Sequence, residues 1–134
     1  MASITSNYPN GFSGGVTVRG MPVLNSYPGM SFWVDGSTGG GGSDGNPGTF
    51  TLPFASIDGA INQCVANRGD IIMVKAGHTE TLVAAGAITL DVAGVSVIGL
   101  GVGNDRPVLT FTPAATGTAN VSWTAANCSF ENIV

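Results

Sequence analysis

His78 and Glu80 are the two residues of this sequence best suited to acid–base chemistry. They stand two positions apart in a segment, HTETL, that alternates like a β-strand, so both side chains are expected on one face. A histidine and a carboxylate at that spacing can move a proton through a water molecule. No third partner and no nearby nucleophile accompany them, and the chain holds a single histidine. We therefore favour a structural pair over a catalytic one and predict no catalytic residues.

Calcium binding and thiol chemistry are the other candidates. Asp35, Asp44 and Asn46 lie in or beside a glycine-rich loop, but the bidentate acid that would complete an EF-hand is missing. We favour ordinary Asp-Gly and Asn-Gly turns there. The two cysteines, Cys64 and Cys128, are far apart without metal-ligand spacing, which favours free thiols in the core. The sequence also lacks the GxSxG, HExxH, GxGxxG and P-loop patterns, so we expect neither metal nor cofactor.

Composition excludes several classes of function. Charged residues make up only 9% of the chain and hydrophobic residues 43%, with 21 glycines, a balance typical of β-rich assembly proteins. Four basic residues against eight acidic ones give a net charge of −4, which argues against nucleic acid as a partner. No apolar run approaches the ~18 residues of a membrane span, so no membrane partner is expected. The N-terminus also lacks the basic and apolar regions of a signal peptide.

A short amphipathic helix is predicted to begin at Ser56 and to end near Gly69. Ser56 suits the N-cap, Asp58 suits the first turn, and Arg68 suits the last turn. Gly59 weakens a helix, so it is expected to mark a close approach of another segment. With about three turns and one apolar face, the helix is predicted to cap an open end of the fold. That face consists of Ile57, Ala60, Ile61, Cys64 and Val65.

One short apolar strand is predicted before this helix, and further strands, separated by small turn residues, are predicted after Gly69. They are predicted at Phe32–Val34 and then at residues 71–74, 78–82, 88–90, 95–98, 108–111, 121–123 and 128–130. Residues 88–101 align without gaps on residues 121–134, and this alignment matches Gly94 with Asn127. Both residue types tolerate positive φ, as a repeated turn requires.

The repeat predicts stacked inward-facing columns of a solenoid, in which each turn buries a face that it cannot bury alone. Placing Ile71 of the first strand in register with Val95 gives the predicted solenoid core as two columns: Ile71, Val95 and Cys128, and Met73, Val97 and Phe130. The last segment, Phe130 to Val134, has the composition of a strand without a polar cap. We expect either further chain or another subunit to cover it.

Residues 1–31 are predicted to form an extended arm. They are rich in Gly, Ser, Asn and Pro, yet they carry regularly spaced apolar residues that a disordered tail would lack. A floppy terminus is the alternative, but these residues cannot be buried by the arm itself, which favours docking on a partner. The residues expected to dock are Val16, Val18, Met21, Val23, Leu24 and Tyr27.

The segment from Phe32 to about residue 101 resembles the N-terminal start of right-handed parallel β-helix proteins of the pectate-lyase-like class. The resemblance lies in a Gly-Ser-Asp-Gly loop, a Pro-Phe-x-Ser-Ile helix start, a Gly-Asp-x-Ile-x-Val strand and a Gly-x-x-Glu turn. Here these motifs are Gly42 to Thr49, Pro53 to Ile57, Gly69 to Val74 and Gly77 to Glu80. The resemblance implies a mostly β fold: the start of a right-handed parallel β-helix (solenoid), residues 32–134, with a short capping helix and the extended arm, residues 1–31.

The lyase resemblance brings no active site. Those enzymes use calcium-binding carboxylates and a basic residue on the outer face of middle turns, whereas the outer candidates here are Asp91, Asp105 and Arg106. We therefore predict that the chain is not an enzyme. Trp33 and Trp123, with Tyr27, could stack on a carbohydrate, but apolar neighbours favour burial in the core or an interface.

With its arm, the chain also resembles structural proteins of tailed bacteriophages that carry β-helical segments. That likeness implies a non-enzymatic virion protein, assembled in the host cytoplasm, that docks on a capsid or tail protein. It would act as a head decoration, fibre or spike, and a homotrimer or other homo-oligomer is expected. The alternative is the opening domain of a carbohydrate-binding or polysaccharide-degrading β-helix protein whose active turns lie elsewhere. A host glycan is a further partner that the sequence leaves without support.

Overall fold

The structure is a computed structural model that describes residues 16–18, 21–23, 28–112 and 119–134. The described part of the chain is mostly β-structure with one short α-helix, α1, at Ile57–Ile61 and a 3-10 turn at Gly103–Asp105. The strands are β1 Val16–Val18, β2 Met21–Val23, β3 Ser31–Val34, β4 Ile71–Val74, β5 Thr79–Leu82, β6 Ile88–Leu90, β7 Ser96–Gly99, β8 Val108–Phe111, β9 Val121–Trp123 and β10 Ser129–Glu131.

The strands from β3 onward belong to three parallel sheets, which the chain visits one after another. The first has the order β10-β7-β4-β3, the second pairs β5 with β8, and the third pairs β6 with β9. The chain runs through β4, β5 and β6, returns to the first sheet as β7, continues through β8 and β9, and returns again as β10. From β7 onward, each strand therefore pairs with the strand three places earlier in the series. Parallel pairing needs long connections, and the other two sheets lie within those connections.

Inward-facing side chains of the three sheets form a single core. Phe32, Ile72, Val97 and Phe130 are register partners across the first sheet, and the second and third sheets contribute Leu82, Ile88 and Leu90. All but the two phenylalanines are at most 1% exposed. Full burial of one such aliphatic side chain contributes roughly 1.5–3 kcal/mol. The stacked columns are thus the main source of stability in the described fold.

The register of β4 corrects one predicted column assignment. The repeat that aligns residues 88–101 with residues 121–134 is confirmed, because Ser96 pairs with Ser129 and Val97 with Phe130. The first strand, however, is displaced by one position from its predicted register, since Ile71 pairs with Ser96 and not with Val95. Such a displacement reverses the two faces of a strand. The inward residues of β4 are therefore Ile72 and Val74, both fully buried, and the inward placement of Ile71 and Met73 was wrong.

The predicted inward residues of the later turns keep their places. Val95 and Val97 are buried, and Cys128 and Phe130 are half-buried against the core. Gly94 and Asn127 both have positive φ, 78° and 57°, as the repeated turn requires.

The capping helix begins where the sequence predicts and ends early. The Ser56 hydroxyl accepts a hydrogen bond from the Gly59 N–H at 3.0 Å, so the N-cap is confirmed. A Cβ on Gly59 would lie 2.6 Å from the Asp44 carboxylate, which confirms the close approach. Ile57, Ala60 and Ile61 are buried, but the helix ends at Ile61.

Cys64 and Val65 therefore lie beyond the helix, and Val65 is 50% exposed, so their placement on its apolar face was wrong. After Ile61 the N–H groups of Gln63 and Cys64 bind the carbonyls of Ala60 and Ile61, three residues back, and the carboxylate of Asp70 then accepts the Val65 N–H at 2.8 Å. Arg68 binds the same carboxylate instead of serving as a helix terminus.

The proposed arm contains a β-hairpin and overlaps the folded body. Val16 pairs with Val23 in the antiparallel pair β1–β2, as the alternation in Val16–Val18 predicts for a strand. Leu24 and Tyr27 lie outside the described residues. The predicted boundary after residue 31 falls within β3, because Ser31 pairs with Ile71. Residues 28–31 are thus attached to the fold.

Candidate functional site

His78 and Glu80 do meet, and they meet inside the fold. His78 is fully buried, and its Nε2 lies 3.3 Å from Oε2 of Glu80. Its Nδ1 accepts a hydrogen bond from the Gly36 N–H at 2.7 Å. Oε2 of Glu80 also accepts the N–H of Ile57, the first residue of α1, at 3.1 Å. The pair thus links the loop after β3, the strand β5 and the start of the helix.

These contacts define the protonation of the imidazole. Because Nδ1 accepts a hydrogen bond, the ring proton lies on Nε2 and points to Glu80, so His78 is in its neutral form in this arrangement. Both ring nitrogens are engaged, and the ring is closed off from solvent. A general base must reach the proton that it abstracts, which this buried ring does not. The arrangement is that of a structural link.

Asp70 forms the most heavily bonded acidic site of the described fold. Its fully buried carboxylate accepts the Met30 N–H at 2.7 Å, the Val65 N–H at 2.8 Å, and the Nε–H and Nη2–H groups of Arg68 at 2.7 Å each. Burial alone would raise the pKa of Asp70, but the hydrogen bonds from Arg68 and the two backbone N–H groups outweigh it and lower the pKa to about 2. Asp70 joins the segment before β3 to the segment after α1.

Asp35 and Lys75 form a second polar site beside two aromatic rings. Asp35 accepts both the N–H and the hydroxyl of Ser37, and its Oδ2 lies 3.5 Å from Nζ of Lys75. Burial would raise the pKa of Asp35, but these hydrogen bonds and the charge of Lys75 lower it below its ordinary value. The ammonium of Lys75 lies 4.4 Å from the centre of the Phe50 ring, which packs edge-on against Trp33 at 4.9 Å.

The glycine-rich loop uses its polar residues to order itself. Asp44 accepts the N–H groups of Ala55 and Ser56, each at 2.9 Å, and the Ser56 hydroxyl. Asn46 donates its Nδ2 to the Gly41 and Pro53 carbonyls. Asp44 thus joins the glycine-rich loop to the start of the helix.

The remaining candidates show no cluster of chemical groups. Asp91 and Asp105 are exposed and lie in separate segments, and Arg106 donates its Nε to the Gly103 carbonyl at 3.1 Å. Within residues 28–112 and 119–134, His, Cys, Asp and Glu form no group of three that could hold a metal ion. No helix in the described part of the chain is long and apolar enough to span a membrane.

Both cysteines are free thiols and half-buried. Burial, reinforced by the negative charge of Asp70, raises the pKa of Cys64 to about 12. The Cys64 thiol therefore stays protonated at neutral pH, and a protonated thiol is a poor nucleophile and metal ligand.

The surface feature that sequence reasoning missed is an exposed apolar layer at one end of the fold. Phe111 stands in register above Leu82, and Trp123 stands above Leu90. The lower residues are 1% exposed, whereas both aromatic residues are 52% exposed. The alignment of residues 88–101 with 121–134 already matches Trp123 with Leu90, so that repeat could have predicted its position; Phe111 had no such signal.

We compared the chain with protein-family models, with curated proteins and with solved structures, and none of them matches it. Inferences about its function therefore rest on the geometry of its own residues.

Proposed function

We propose that residues 28–134 form the first turns of a right-handed parallel β-helix whose N-terminal end is closed by α1. The return of the chain to the same sheet at β4, β7 and β10 supports this architecture, as does the in-register stacking of Ile72, Val97 and Phe130. The burial of Ile57, Ala60 and Ile61 against the first strands supports a capping role for the helix.

The function that this geometry supports best is structural: a non-enzymatic component of a tailed-phage virion. One observation carries the proposal. The side chains best suited to chemistry are buried and form their hydrogen bonds with the backbone and side chains of the fold itself. These side chains are His78, Asp70 and Asp35. Such groups stabilise a scaffold, while the large apolar side chains left exposed are suited to contacts with other proteins.

In this proposal the N-terminal arm is the attachment element. Residues 1–27 precede the folded body and contain the β1–β2 hairpin with Val16, Val18, Met21 and Val23. They bind a capsid or tail protein, and the β-helix projects from the particle as a decoration, fibre or spike. The low charge of the chain favours an apolar contact, and a homotrimer or other homo-oligomer is the expected assembly.

The test is the incorporation of an arm-deleted chain into particles. Removing residues 1–27 should reduce incorporation at least about tenfold, which corresponds to a loss of only about 1.4 kcal/mol of docking free energy. The deletion stops at residue 27 because the Met30 N–H binds Asp70 and Ser31 pairs in β3.

The matched control replaces Asp91, an exposed acid outside the arm, with asparagine and should leave incorporation unchanged. Normal incorporation of the arm-deleted chain would overturn the proposed attachment.

A second function is favoured by one surface observation. Phe50 is 59% exposed and Leu52 is 51% exposed, and Lys75 stands over the Phe50 ring beside Trp33. An exposed ring beside a cation is suited to stacking on a sugar, as expected of a carbohydrate-binding or polysaccharide-degrading β-helix protein. Glycan-array binding that is lost in Phe50→Ala would favour this alternative over the virion role.

A further inference from the structure

The apolar layer at the β8–β9–β10 end is formed by residues that continue the buried columns. Phe111 lies above Leu82, Trp123 above Leu90, and Phe130 above Val97. Leu82, Leu90 and Val97 are at most 1% exposed. Each column is therefore buried up to these residues, and only its last member reaches the surface. Leu109 and Val121, also partly buried, fill the space between them. We call these five residues, Leu109, Phe111, Val121, Trp123 and Phe130, the terminal layer.

The two ends of the described fold differ in how they are covered. At the first end, Ile57, Ala60 and Ile61 of α1 and the ring of Phe54 pack on the core and are themselves at most 2% exposed. At the other end, Phe111 and Trp123 leave half of their surfaces open. These two aromatic side chains therefore keep about half of their apolar surface in water, although the residues directly below them, Leu82 and Leu90, are buried.

The chain itself begins the layer that would cover this surface. β10 already lies beside β7, and Asn132, at φ 55°, turns the backbone out of that sheet. The Asn132 side chain holds the turn by donating its Nδ2 to the Gly99 and Gly101 carbonyls at 2.8 and 3.0 Å. Turns of this kind need a residue that tolerates positive φ, and asparagine is one of the few.

Beyond that turn, Val134 pairs with β8. Its N–H donates to the Pro107 carbonyl at 2.9 Å, and its carbonyl accepts the Leu109 N–H at 2.7 Å. These are the two ladder bonds of a parallel pair in which Val134 stands opposite Val108. The direction and register of a strand above β8 are therefore fixed by these bonds.

We propose that the terminal layer is the docking surface for a further turn of parallel strands carried on the same polypeptide, lying over β8 and then β9. The occupant has apolar residues facing inward, because the terminal layer presents no charged side chain, and it runs parallel to β8 in the register that Val134 establishes. A strand supplied by the same polypeptide reaches this place without a chain break. This inference rests on the proposed β-helix.

The test extends the chain with its own sequence. A copy of residues 109–134 is added directly after Val134. Each copied residue then follows its original by the same number of positions by which Val134 follows Val108, so the added strands continue the register that Val134 establishes. Phenylalanine replaces the copied tryptophan, so that any new change in tryptophan emission reports on the terminal layer. The matched control carries the same extension after one extra alanine, which turns every inward side chain outward.

The in-register extension should raise the thermal unfolding midpoint by at least about 4 °C, the shift that roughly 1 kcal/mol produces in a domain of this size. It should also shift the Trp123 emission to shorter wavelength, because the added strands bury the ring of Trp123, which is 52% exposed in the unextended chain. The control extension should produce none of these changes.

Two results would overturn the inference. One is equal behaviour of the two extensions. The other is a stable dimer of the unextended chain in light scattering that Trp123→Asp converts to monomer, since a second copy would then be the occupant. Particle incorporation of the arm-deleted chain is measured separately, so the attachment proposal and this one fail independently.

Discussion

At the scale of single residues, the polar groups that could have served catalysis serve the fold. The Asp70 carboxylate, the His78 ring and the Asp44 carboxylate each join segments that are distant in sequence. A buried polar group costs free energy unless its hydrogen bonds are made, and here they are made to backbone N–H groups that would otherwise lack partners. Among the described residues that are not exposed, every buried side-chain nitrogen and oxygen has a hydrogen-bond partner.

Asp70 gives a prediction about pH. Its pKa is about 2 in the folded chain against an ordinary value of 3.8, so its contribution to stability is complete above about pH 5 and is lost as the pH falls from about 4 to about 2. That contribution amounts to about 2 kcal/mol. In Asp70→Asn this pH-dependent part should disappear. Unfolding in urea at pH 7 should require about 3 kcal/mol less, because one amide oxygen cannot replace two carboxylate oxygens and a buried N–H loses its partner.

The control is Asp91→Asn, which changes an exposed acid. It should keep both the stability at pH 7 and the acid-dependent loss, as followed by circular dichroism. A pH profile of Asp70→Asn parallel to that of Asp91→Asn would contradict the role assigned to Asp70.

At the scale of elements, β4 shows why its register could not be predicted. Its four residues, Ile71-Ile72-Met73-Val74, are all apolar, so no alternation marks the inward face. The inward face of β4 is set by the residue before the strand, because the buried side chain of Asp70 lies on the same face as Ile72 and Val74. Its bonds to Met30 and Val65 fix that side inward.

Two neighbouring isoleucines test this register. Ile72→Ala removes a fully buried side chain that pairs with Phe32 and Val97, and it should lower the free energy of unfolding by about 2–5 kcal/mol. Ile71→Ala makes the same chemical change on the half-buried outward face and should cost clearly less, about 1 kcal/mol. Urea unfolding of both variants measures the difference. Equal losses would show that the strand does not have this register.

At the scale of the whole molecule, the hydrophobic core is described for residues 28–112 and 119–134. Its described members run from Phe32 to Ile133, and the strands of the three parallel sheets all lie in those two ranges. Removing residues 1–27 should therefore keep the β-rich circular dichroism spectrum and move the thermal midpoint by no more than about 4 °C, the shift expected for under about 1 kcal/mol.

This result is needed to interpret the particle experiment, because a chain that unfolds would be excluded from particles for a trivial reason. A loss of cooperative unfolding on deletion would show that the arm belongs to the core. A folded chain that fails to enter particles would support the arm as the attachment element.

The sequence by itself determined the features that depend on neighbouring residues. Short apolar runs between glycine and asparagine turns predicted the strands, the match of Gly94 with Asn127 predicted the repeated turn, and Ser56 predicted the start of the helix. Each of these depends on local backbone preference or on a repeat visible in the chain.

Only the tertiary structure decided the features that depend on distant partners. Met30 and Asp70 are 40 residues apart, and Gly36 and His78 are 42 apart, yet the hydrogen bonds between them attach the segment before β3 to the fold and give the histidine a structural role. Likewise, Phe111 is 52% exposed while Leu82, its register partner 29 residues earlier (111 − 82), is 1% exposed, and only the pairing of β5 with β8 reveals this difference. Local sequence sets backbone conformation, whereas burial and hydrogen-bond partners are set by which segments meet.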